Sequence, residues 1–248
     1  MNKIVSLLLL FLIIVSCNSD SNYPTEQKKC LITKYGKIIT TEGHYFLNEF
    51  VYQNDRIIQN IKKNGFNNQI NIEEVEYTNN LPSKIIINEK NFYSITYSNN
   101  ILKEIVKSTI FDNGYIMKYI YKFTFENNKP KKIESYYLDA PNVENTITIF
   151  EYSNNNVSKV IETLTYENED NVHKEITLYS DFDTNKNPFN NVNVPFLDLL
   201  PAIYSANNPR KIQRFEYFNN EQTSVSEVYS NIEYDLNGLP NFAEYKCE

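Results

Sequence analysis

The side chains that most often perform chemistry in proteins are scarce in this chain of 248 residues. Its two histidines, His44 and His173, are far apart in sequence, and neither belongs to an H-x-x-H or H-E-x-x-H zinc motif. No G-x-S-x-G, P-loop or G-x-G-x-x-G motif occurs, and five glycines leave little backbone to cradle a phosphate. We therefore expect no enzymatic activity and no cofactor, and we expect both histidines to be ordinary strand residues.

One acidic segment resembles a metal-binding loop in its sequence. Residues 181–187 (DFDTNKN) imitate the start of a calcium-binding loop. However, Lys186 occupies the position of the turn glycine, and Val192 occupies the position of the bidentate glutamate. We predict no metal site here and expect these side chains to cap Asx turns instead.

The amino terminus predicts a secretion signal. A positive Lys3 precedes an apolar run from Ile4 to Val15, which is shorter than the roughly 20 residues of a membrane-spanning helix. The run ends in Ile-Val-Ser-Cys, and this ending resembles the lipobox of bacterial lipoproteins. The resemblance implies that residues 1–16 are a signal peptide, that they are removed, and that the Cys17 thiol carries a diacylglycerol.

Residues 17–29 would then be the lipidated cysteine and a flexible tether. The segment after Cys17 (NSDSNYPTEQKK) has almost no apolar content. Each buried CH₂ of an acyl chain contributes roughly 0.8 kcal/mol, so several chains hold a protein on a membrane. Lipoproteins without Asp after the cysteine typically go to the outer membrane, and position 18 is Asn. The resemblance therefore implies a lipid-anchored protein of the bacterial cell envelope, with the outer membrane as its destination.

Two further cysteines, Cys30 and Cys247, lie near the two ends of the mature chain. If the first and last strands pair antiparallel, the two thiols face each other in an oxidising compartment. A disulfide needs Cα atoms within about 7 Å, whereas an open, flat sheet of fourteen strands would hold its edges some 60 Å apart. A disulfide therefore requires a curled or closed sheet; the alternative is two free thiols.

Composition favours an all-β protein. There are 4 Ala but 38 Asn, 28 Ile and 14% aromatic residues, so helix formers are few and strand and turn formers many. The 41% hydrophobic content is enough for a core and excludes global disorder. With 24 basic against 31 acidic residues, nucleic acid is not an expected partner.

A short pattern recurs along the chain: an aromatic residue, a spacer, Asn-Asn or a near equivalent, and then an apolar strand. Asn tolerates positive φ, so each Asn pair predicts a tight hairpin turn. The copies start at Tyr77, Tyr97, Phe125, Tyr152 and Tyr204, with looser copies at Tyr52, Tyr217 and Tyr234.

The repeats and their alternating strands predict one antiparallel β-meander of about fourteen strands, curved or closed, over residues 30–248. From Tyr115 to Glu126 every odd position is apolar or aromatic, as in a half-buried strand. The last copy, Tyr234-Asp-Leu-Asn-Gly-Leu, resembles the YD repeat of bacterial surface proteins. The mature chain is similar to lipoproteins of unknown function built from such degenerate hairpins, a resemblance that implies fold and location only.

One long insertion interrupts the meander between Asp181 and Pro209. It contains four prolines and the apolar run Phe196-Leu-Asp-Leu-Leu200. Such an insertion is either a lid or a plug over an open end of the sheet. We favour the plug, because its Phe and Leu side chains need burial.

Tyrosines are the most plausible ligand-facing residues. Tyr115, Tyr119 and Tyr121 alternate on one predicted strand, and tyrosine combines an apolar ring with a polar tip. The competing interpretation is a cross-strand aromatic ladder that only stabilises the sheet. The leading functional hypothesis is a non-enzymatic binding or structural module for a glycan or an envelope protein.

Two alternatives remain from the sequence. The first is a carrier that holds a lipid or another apolar ligand inside the curled sheet, with the insertion as its lid. The second, less favoured, is a glycosidase-type hydrolase. That chemistry needs two carboxylates about 5–10 Å apart in a cleft, and the acidic pairs Glu73–Glu74 and Glu167/Glu169 are the candidates.

Overall fold

A computed structural model describes residues 30–38, 45–65, 69–167, 171–236 and 238–247 of the chain. Residues Cys30 to Cys247 form one compact unit. The predicted signal peptide, Cys17, the tether, His44 and Glu169 lie outside the described residues.

The described residues form one antiparallel sheet of fifteen strands, which confirms the predicted all-β meander. The order runs from β14 down to β1 and then to β15, so the last strand pairs with the first and the sheet is not closed. Of the two predicted shapes, the curved one is therefore right and the closed one wrong. The strands are β1 (Cys30–Ile38), β2 (Tyr45–Gln53), β3 (Arg56–Asn64), β4 (Gln69–Thr78), β5 (Leu81–Asn88), β6 (Asn91–Ser98), β7 (Ile101–Ile110), β8 (Ile116–Glu126), β9 (Lys129–Tyr137), β10 (Ala140–Ser153), β11 (Asn156–Tyr166), β12 (Val172–Phe182), β13 (Pro209–Phe218), β14 (Glu221–Tyr229) and β15 (Ala243–Cys247).

The paired asparagines form the hairpin turns that the repeat predicts. Both central residues of each turn have positive φ, which is the type I′ geometry that matches the twist of the flanking strands. Asn supplies most of these positions because its short polar side chain tolerates this backbone conformation. The pairs are Asn54–Asp55, Asn79–Asn80, Asn99–Asn100, Asn127–Asn128, Asn154–Asn155 and Asn219–Asn220.

A β-bulge follows each of these turns and helps to curve the sheet. The strand register shifts by one residue just before the aromatic residue of each hairpin copy, so the second strand carries one extra residue. Such bulges bend a strand and increase its twist. In three copies the extra residue is a Ser or Thr that donates to the carbonyl before the aromatic, as Ser83 Oγ does to Glu76 O at 3.3 Å. The shifts occur at Tyr52, Tyr77, Tyr97, Phe125, Tyr152 and Tyr217.

The insertion between β12 and β13 packs on the sheet as the predicted plug. It contains two 3₁₀ turns (Pro188–Asn191 and Leu197–Leu199) and a four-residue helix, α1 (Leu200–Ile203). Its apolar side chains complete the hydrophobic core with the inward residues of the strands, and Phe196 stacks on Phe50 at 5.7 Å between ring centroids. The buried members from the insertion are Phe189, Val192, Val194, Phe196 and Leu200.

The contacts of the insertion show how strongly the sheet curls. Asp183 directly follows β12, and its Oδ1 accepts a hydrogen bond from the backbone amide of Asn208, which directly precedes β13. Eight residues after Asp183, Asn191 Nδ2 donates to Cys30 O of β1 at 3.0 Å. Eight residues span at most about 29 Å. In a flat sheet, β12 and β1 would be eleven spacings of about 4.8 Å, or about 53 Å, apart. The insertion therefore lies on a deeply concave face.

Two of the predicted hairpin copies are wrong. The copy at Tyr204 is not a hairpin, because Tyr204 ends α1 and Asn207 and Asn208 do not have positive φ. The copy at Tyr234 makes a turn with Gly238 at φ 73°, but its arms meet in a single bridge between Tyr234 and Pro240. In both copies the chain is connecting the sheet to the insertion or to β15, so tertiary packing overrides the local pattern.

The terminal strands bring the two cysteines together. β1 and β15 pair antiparallel, and Cys30 lies directly opposite Cys247 in the register. The two residues form a disulfide across 217 positions of sequence, with Cα atoms 4.1 Å apart. The bond joins two neighbouring strands of the curled sheet, and the gap in the sheet lies instead between β15 and β14.

Candidate functional site

Seven of the tyrosines that pack against the core form two groups that differ in what their hydroxyls do. In the first group, the hydroxyl donates to a backbone carbonyl of the preceding strand. Tyr52 donates to Ile32 O at 2.8 Å, Tyr77 to Ile57 O at 2.9 Å, and Tyr152 to Pro130 O at 2.9 Å. Burial raises the pKa of Tyr77 to about 12, so its hydroxyl keeps its proton. These "ladder tyrosines" link neighbouring strands, which fits the interpretation that they stabilise the sheet.

In the second group, the hydroxyl has no hydrogen-bond partner among the described residues. The members are half-buried, and their rings line open clefts on the concave face. Burial raises the pKa of each of these four phenols, so they are neutral donors and acceptors at physiological pH. A half-buried hydroxyl that the protein leaves unpaired is available to water or a ligand. The group consists of Tyr93, Tyr97, Tyr121 and Tyr204.

The first cleft, which we call the tyrosine cleft, has a volume of about 280 Å³. Tyr119 lines it, with its ring 5.1 Å from that of Tyr121 and 4.8 Å from that of Tyr137, both edge-on. The Tyr119 hydroxyl donates to Glu144 Oε1 at 3.2 Å. The lining is Lys107, Thr109, Met117, Tyr119, Tyr121, Tyr137 and Glu144. The cleft thus offers aromatic surfaces, one ammonium and one carboxylate.

The structure places two of the three predicted ligand-facing tyrosines in this cleft and the third elsewhere. Tyr119 and Tyr121 line it, but Tyr115 precedes the start of β8. The Tyr115 ring is half exposed and stacks on Phe111 at 5.8 Å in the β7–β8 turn. The alternation of apolar residues along the sequence includes Tyr115, although this residue belongs to the β7–β8 turn and not to β8.

A second cleft of about 250 Å³ shares Tyr121 with the tyrosine cleft and contains an ion-pair network. Lys62 Nζ lies 2.9 Å from Glu73 Oε1 and 3.4 Å from Asp198 Oδ2 of the insertion. Burial lowers the pKa of Lys62, but Asp198 and Glu73 outweigh it and raise the pKa above its usual value. Asn60, fully buried, donates to Glu73 Oε2 at 2.9 Å. The network fastens the insertion to β3 and β4.

The Glu73–Glu74 pair of the glycosidase hypothesis does not meet in this cleft. Glu73 points inward, but Glu74 is its neighbour on the same strand and is exposed on the other face. Glu169 lies outside the described residues. The two carboxylates that do converge, Glu73 and Asp198, are bridged by the Lys62 ammonium.

A third cleft of about 430 Å³ lies where the insertion meets the Asn-pair turns of β4–β5, β6–β7 and β8–β9. We call it the asparagine cleft. Tyr97 and Tyr204 line it with their unpaired hydroxyls, and the Tyr204 ring packs edge-on against Phe125 at 6.2 Å. Four exposed asparagines surround them, and no charged side chain is present in this lining. The lining residues are Leu81, Pro82, Tyr97, Asn100, Ile101, Leu102, Phe125, Asn128, Asn190, Val192, Asn193, Val194, Pro195, Ile203 and Tyr204.

The carrier hypothesis needs a continuous apolar interior, and the insertion occupies that space among the described residues. Val194 and Leu200 are 0% and 2% exposed, packed against the inward face of the strands. What remains are separate clefts of about 250–430 Å³, and each has tyrosine hydroxyls, amides or charges in its lining. These clefts suit polar ligands better than a long hydrocarbon chain.

The calcium-like segment makes Asx turns, as predicted. Asp183 Oδ1 accepts from the backbone amide of Asn185 at 3.1 Å, and Asn187 Oδ1 accepts from the amide of Phe189 at 3.0 Å. Asp183 Oδ2 also accepts from Asn208 Nδ2 at 3.2 Å. These oxygens hold the two ends of the insertion together at its base.

Sequence reasoning missed the asparagine cleft and Tyr93. Tyr97 and Tyr204 are marked in the sequence because both begin hairpin copies. The ladder tyrosines begin hairpin copies too, so this pattern does not distinguish the cleft residues from them. Asn190 and Asn193 carried none, since asparagine is abundant throughout the chain. Only the position of the insertion over the turns brings these residues together.

Comparison with known proteins adds information on the fold. No model of a known protein family matches the chain, and no curated protein gives a significant match. Within the described residues, no helix has the length and apolarity to cross a membrane. One matching solved structure is a porin-like protein from Bacteroides vulgatus ATCC 8482, at 14% identity and a TM-score of 0.57, covering 89% of this chain and 98% of that chain. At this identity the likeness shows a shared β-fold.

Proposed function

We propose that this protein is a lipid-anchored binding module of the bacterial envelope, at the outer membrane, that holds a glycan in its tyrosine cleft without transforming it. The observation that carries the binding proposal is the group of tyrosine rings on the concave face: Tyr119, Tyr121 and Tyr137 present edges and faces next to Glu144 and Lys107. The lipobox resemblance at Cys17 supports the location, and the porin-like neighbour fits an envelope-associated β protein.

The lining of the tyrosine cleft suits a sugar chemically. A pyranose ring has an apolar C–H face that packs on a tyrosine ring, and its hydroxyls can donate to the Glu144 carboxylate and accept from Lys107. A rigid aromatic side chain also loses little conformational entropy when it binds. An envelope protein is the other partner class, and the test below separates it from a glycan.

Replacing Tyr121 by alanine should weaken glycan binding by about tenfold, because a lost aromatic contact of about 1.4 kcal/mol corresponds to that factor. The measurement is binding of the purified full chain to an array of neutral and acidic oligosaccharides of three to six residues. The matched control is Tyr152→Phe, which alters a ladder tyrosine and should leave binding unchanged. If no oligosaccharide is retained, or if Tyr121→Ala binds as the wild type does, the glycan proposal fails and a protein partner becomes the better candidate.

Replacing Cys17 by alanine should release the protein from membranes, because the acyl chains would have no thiol to occupy. The measurement is the distribution of the protein between membrane and soluble fractions after an alkaline wash. Cys30→Ala serves as the control, since it breaks the Cys30–Cys247 disulfide but keeps Cys17, and it should leave the protein in the membrane fraction. Continued tight membrane association of Cys17→Ala would refute the lipid anchor.

A further inference from the structure

We propose that the asparagine cleft is a second binding site, separate from the tyrosine cleft, and that it takes an uncharged, hydroxyl-rich ligand of the class of neutral oligosaccharides. The proposal rests on the composition and geometry of this cleft and does not depend on what the tyrosine cleft binds.

The absence of charge in the lining is the first argument. Charged residues make up 22% of the chain, yet none of the fifteen described side chains that line this cleft is acidic or basic. A charged ligand that left water for this cleft would find no counter-charge to compensate for its desolvation. Three other clefts among the described residues each contain charge: Lys107 and Glu144 in the first, Lys62, Glu73 and Asp198 in the second, and Asp198 in the last. Exclusion of charge therefore distinguishes this site from its neighbours.

The mixture of apolar wall and polar rim is the second argument. Leu102 and Val194 are buried in the core beneath the cleft, while Asn100, Asn128, Asn190 and Asn193 are exposed around it. Each amide is both a donor and an acceptor, and the side chains of these four asparagines have no hydrogen-bond partner among the described residues. A neutral sugar has the matching pattern, with an apolar ring face and a rim of hydroxyls.

The two tyrosine hydroxyls are the third argument, because they exclude a purely apolar occupant. Tyr97 and Tyr204 come from different elements, β6 and the end of α1, and both rings line this cleft. Neither hydroxyl has a hydrogen-bond partner in the described part of the chain, whereas the ladder tyrosine Tyr77 donates to Ile57 O. An apolar ligand would bury these hydroxyls unpaired, and that carries a desolvation penalty. The volume of about 430 Å³ lies within the range of small-ligand sites.

Isothermal titration with the purified full chain tests the proposal. The probes are the neutral maltohexaose, cellohexaose and xylohexaose, the anionic hexagalacturonate and the cationic glucosamine hexamer. We expect at least one neutral hexamer to bind and the charged hexamers to bind at least tenfold more weakly at this site. Tyr97→Phe and Tyr204→Phe should each weaken the neutral ligand by about fivefold to tenfold. Their melting temperatures should not change, because these hydroxyls make no protein hydrogen bond among the described residues.

The controls separate this site from the tyrosine cleft and from general destabilisation. Tyr152→Phe should lower the melting temperature, since it removes the bond to Pro130 O, but should leave neutral-ligand affinity intact. Tyr121→Ala alters the tyrosine cleft and not this one, because Tyr121 is not in the lining of the asparagine cleft. Sensitivity of the neutral ligand to Tyr121→Ala but not to Tyr97→Phe and Tyr204→Phe would overturn this proposal while supporting the tyrosine cleft. Equal affinity for the charged hexamers, or binding of no neutral hexamer, would overturn it as well.

Discussion

Replacing both Cys30 and Cys247 by serine should lower the free energy of unfolding by about 5 kcal/mol. The disulfide closes a loop of 217 residues of sequence, and the chain-entropy model gives about that value as an upper figure for such a loop. For a domain of this size, each kcal/mol shifts the melting temperature by about 2–4 °C. We therefore expect a fall of about 10–20 °C, measured by thermal denaturation of the purified protein without reductant.

Reductant provides the control for this prediction. Dithiothreitol should lower the melting temperature of the wild type toward that of the double serine variant and should not affect the variant itself. Non-reducing mass spectrometry should show both cysteines protected from alkylation in the wild type. If both thiols are alkylated under native conditions, they are free and the disulfide does not stabilise the fold.

Replacing Phe196 by alanine should destabilise the protein by about 3–5 kcal/mol. Phe196 is 3% exposed, and its ring stacks on that of Phe50 in the core. Removal of the Phe196 ring therefore leaves a cavity that the curled sheet cannot fill. It should also loosen the insertion next to the Lys62–Asp198 contact. The measurement is urea denaturation at equilibrium, followed by tyrosine fluorescence and circular dichroism.

Leu197→Ala is the matched control, because Leu197 is the neighbouring residue of the same insertion and is only half-buried. Its cost should be less than half that of Phe196→Ala. If Phe196→Ala unfolds at the same urea concentration as the wild type, the insertion does not act as a plug and can leave the concave face at little cost. The lid interpretation would then replace it.

Much of the fold was predictable because its information is local. An Asn pair between two alternating strands specifies a type I′ hairpin with few neighbours involved, and five such pairs together with Asn54–Asp55 account for six of the connections. The burial of the insertion was also predictable, since Phe196 and Leu200 have to be shielded from water. The failures at Tyr204 and Tyr234 occurred where the chain leaves the meander, and there contacts distant in sequence decide the conformation.

The sites were less predictable, because the same residue type serves two purposes. Tyr77 and Tyr97 occupy equivalent positions of the hairpin copy, yet of these two only the Tyr77 hydroxyl donates to a backbone carbonyl among the described residues. Sequence spacing cannot tell these two apart. The asparagine cleft further depends on Asn193 and Tyr204, which the insertion delivers from about one hundred residues beyond Tyr97.

The ladder tyrosines have a consequence for how the molecule folds and varies. Each of these hydroxyls donates to the strand immediately before its own, as Tyr52 does to Ile32 and Tyr77 to Ile57. Such coupling joins each strand only to its neighbour, so folding can propagate from one hairpin to the next, as in a solenoid protein. The contacts that close long loops then form in the last steps of folding. A whole internal unit could be gained or lost in evolution at modest cost, provided that the ends could still meet.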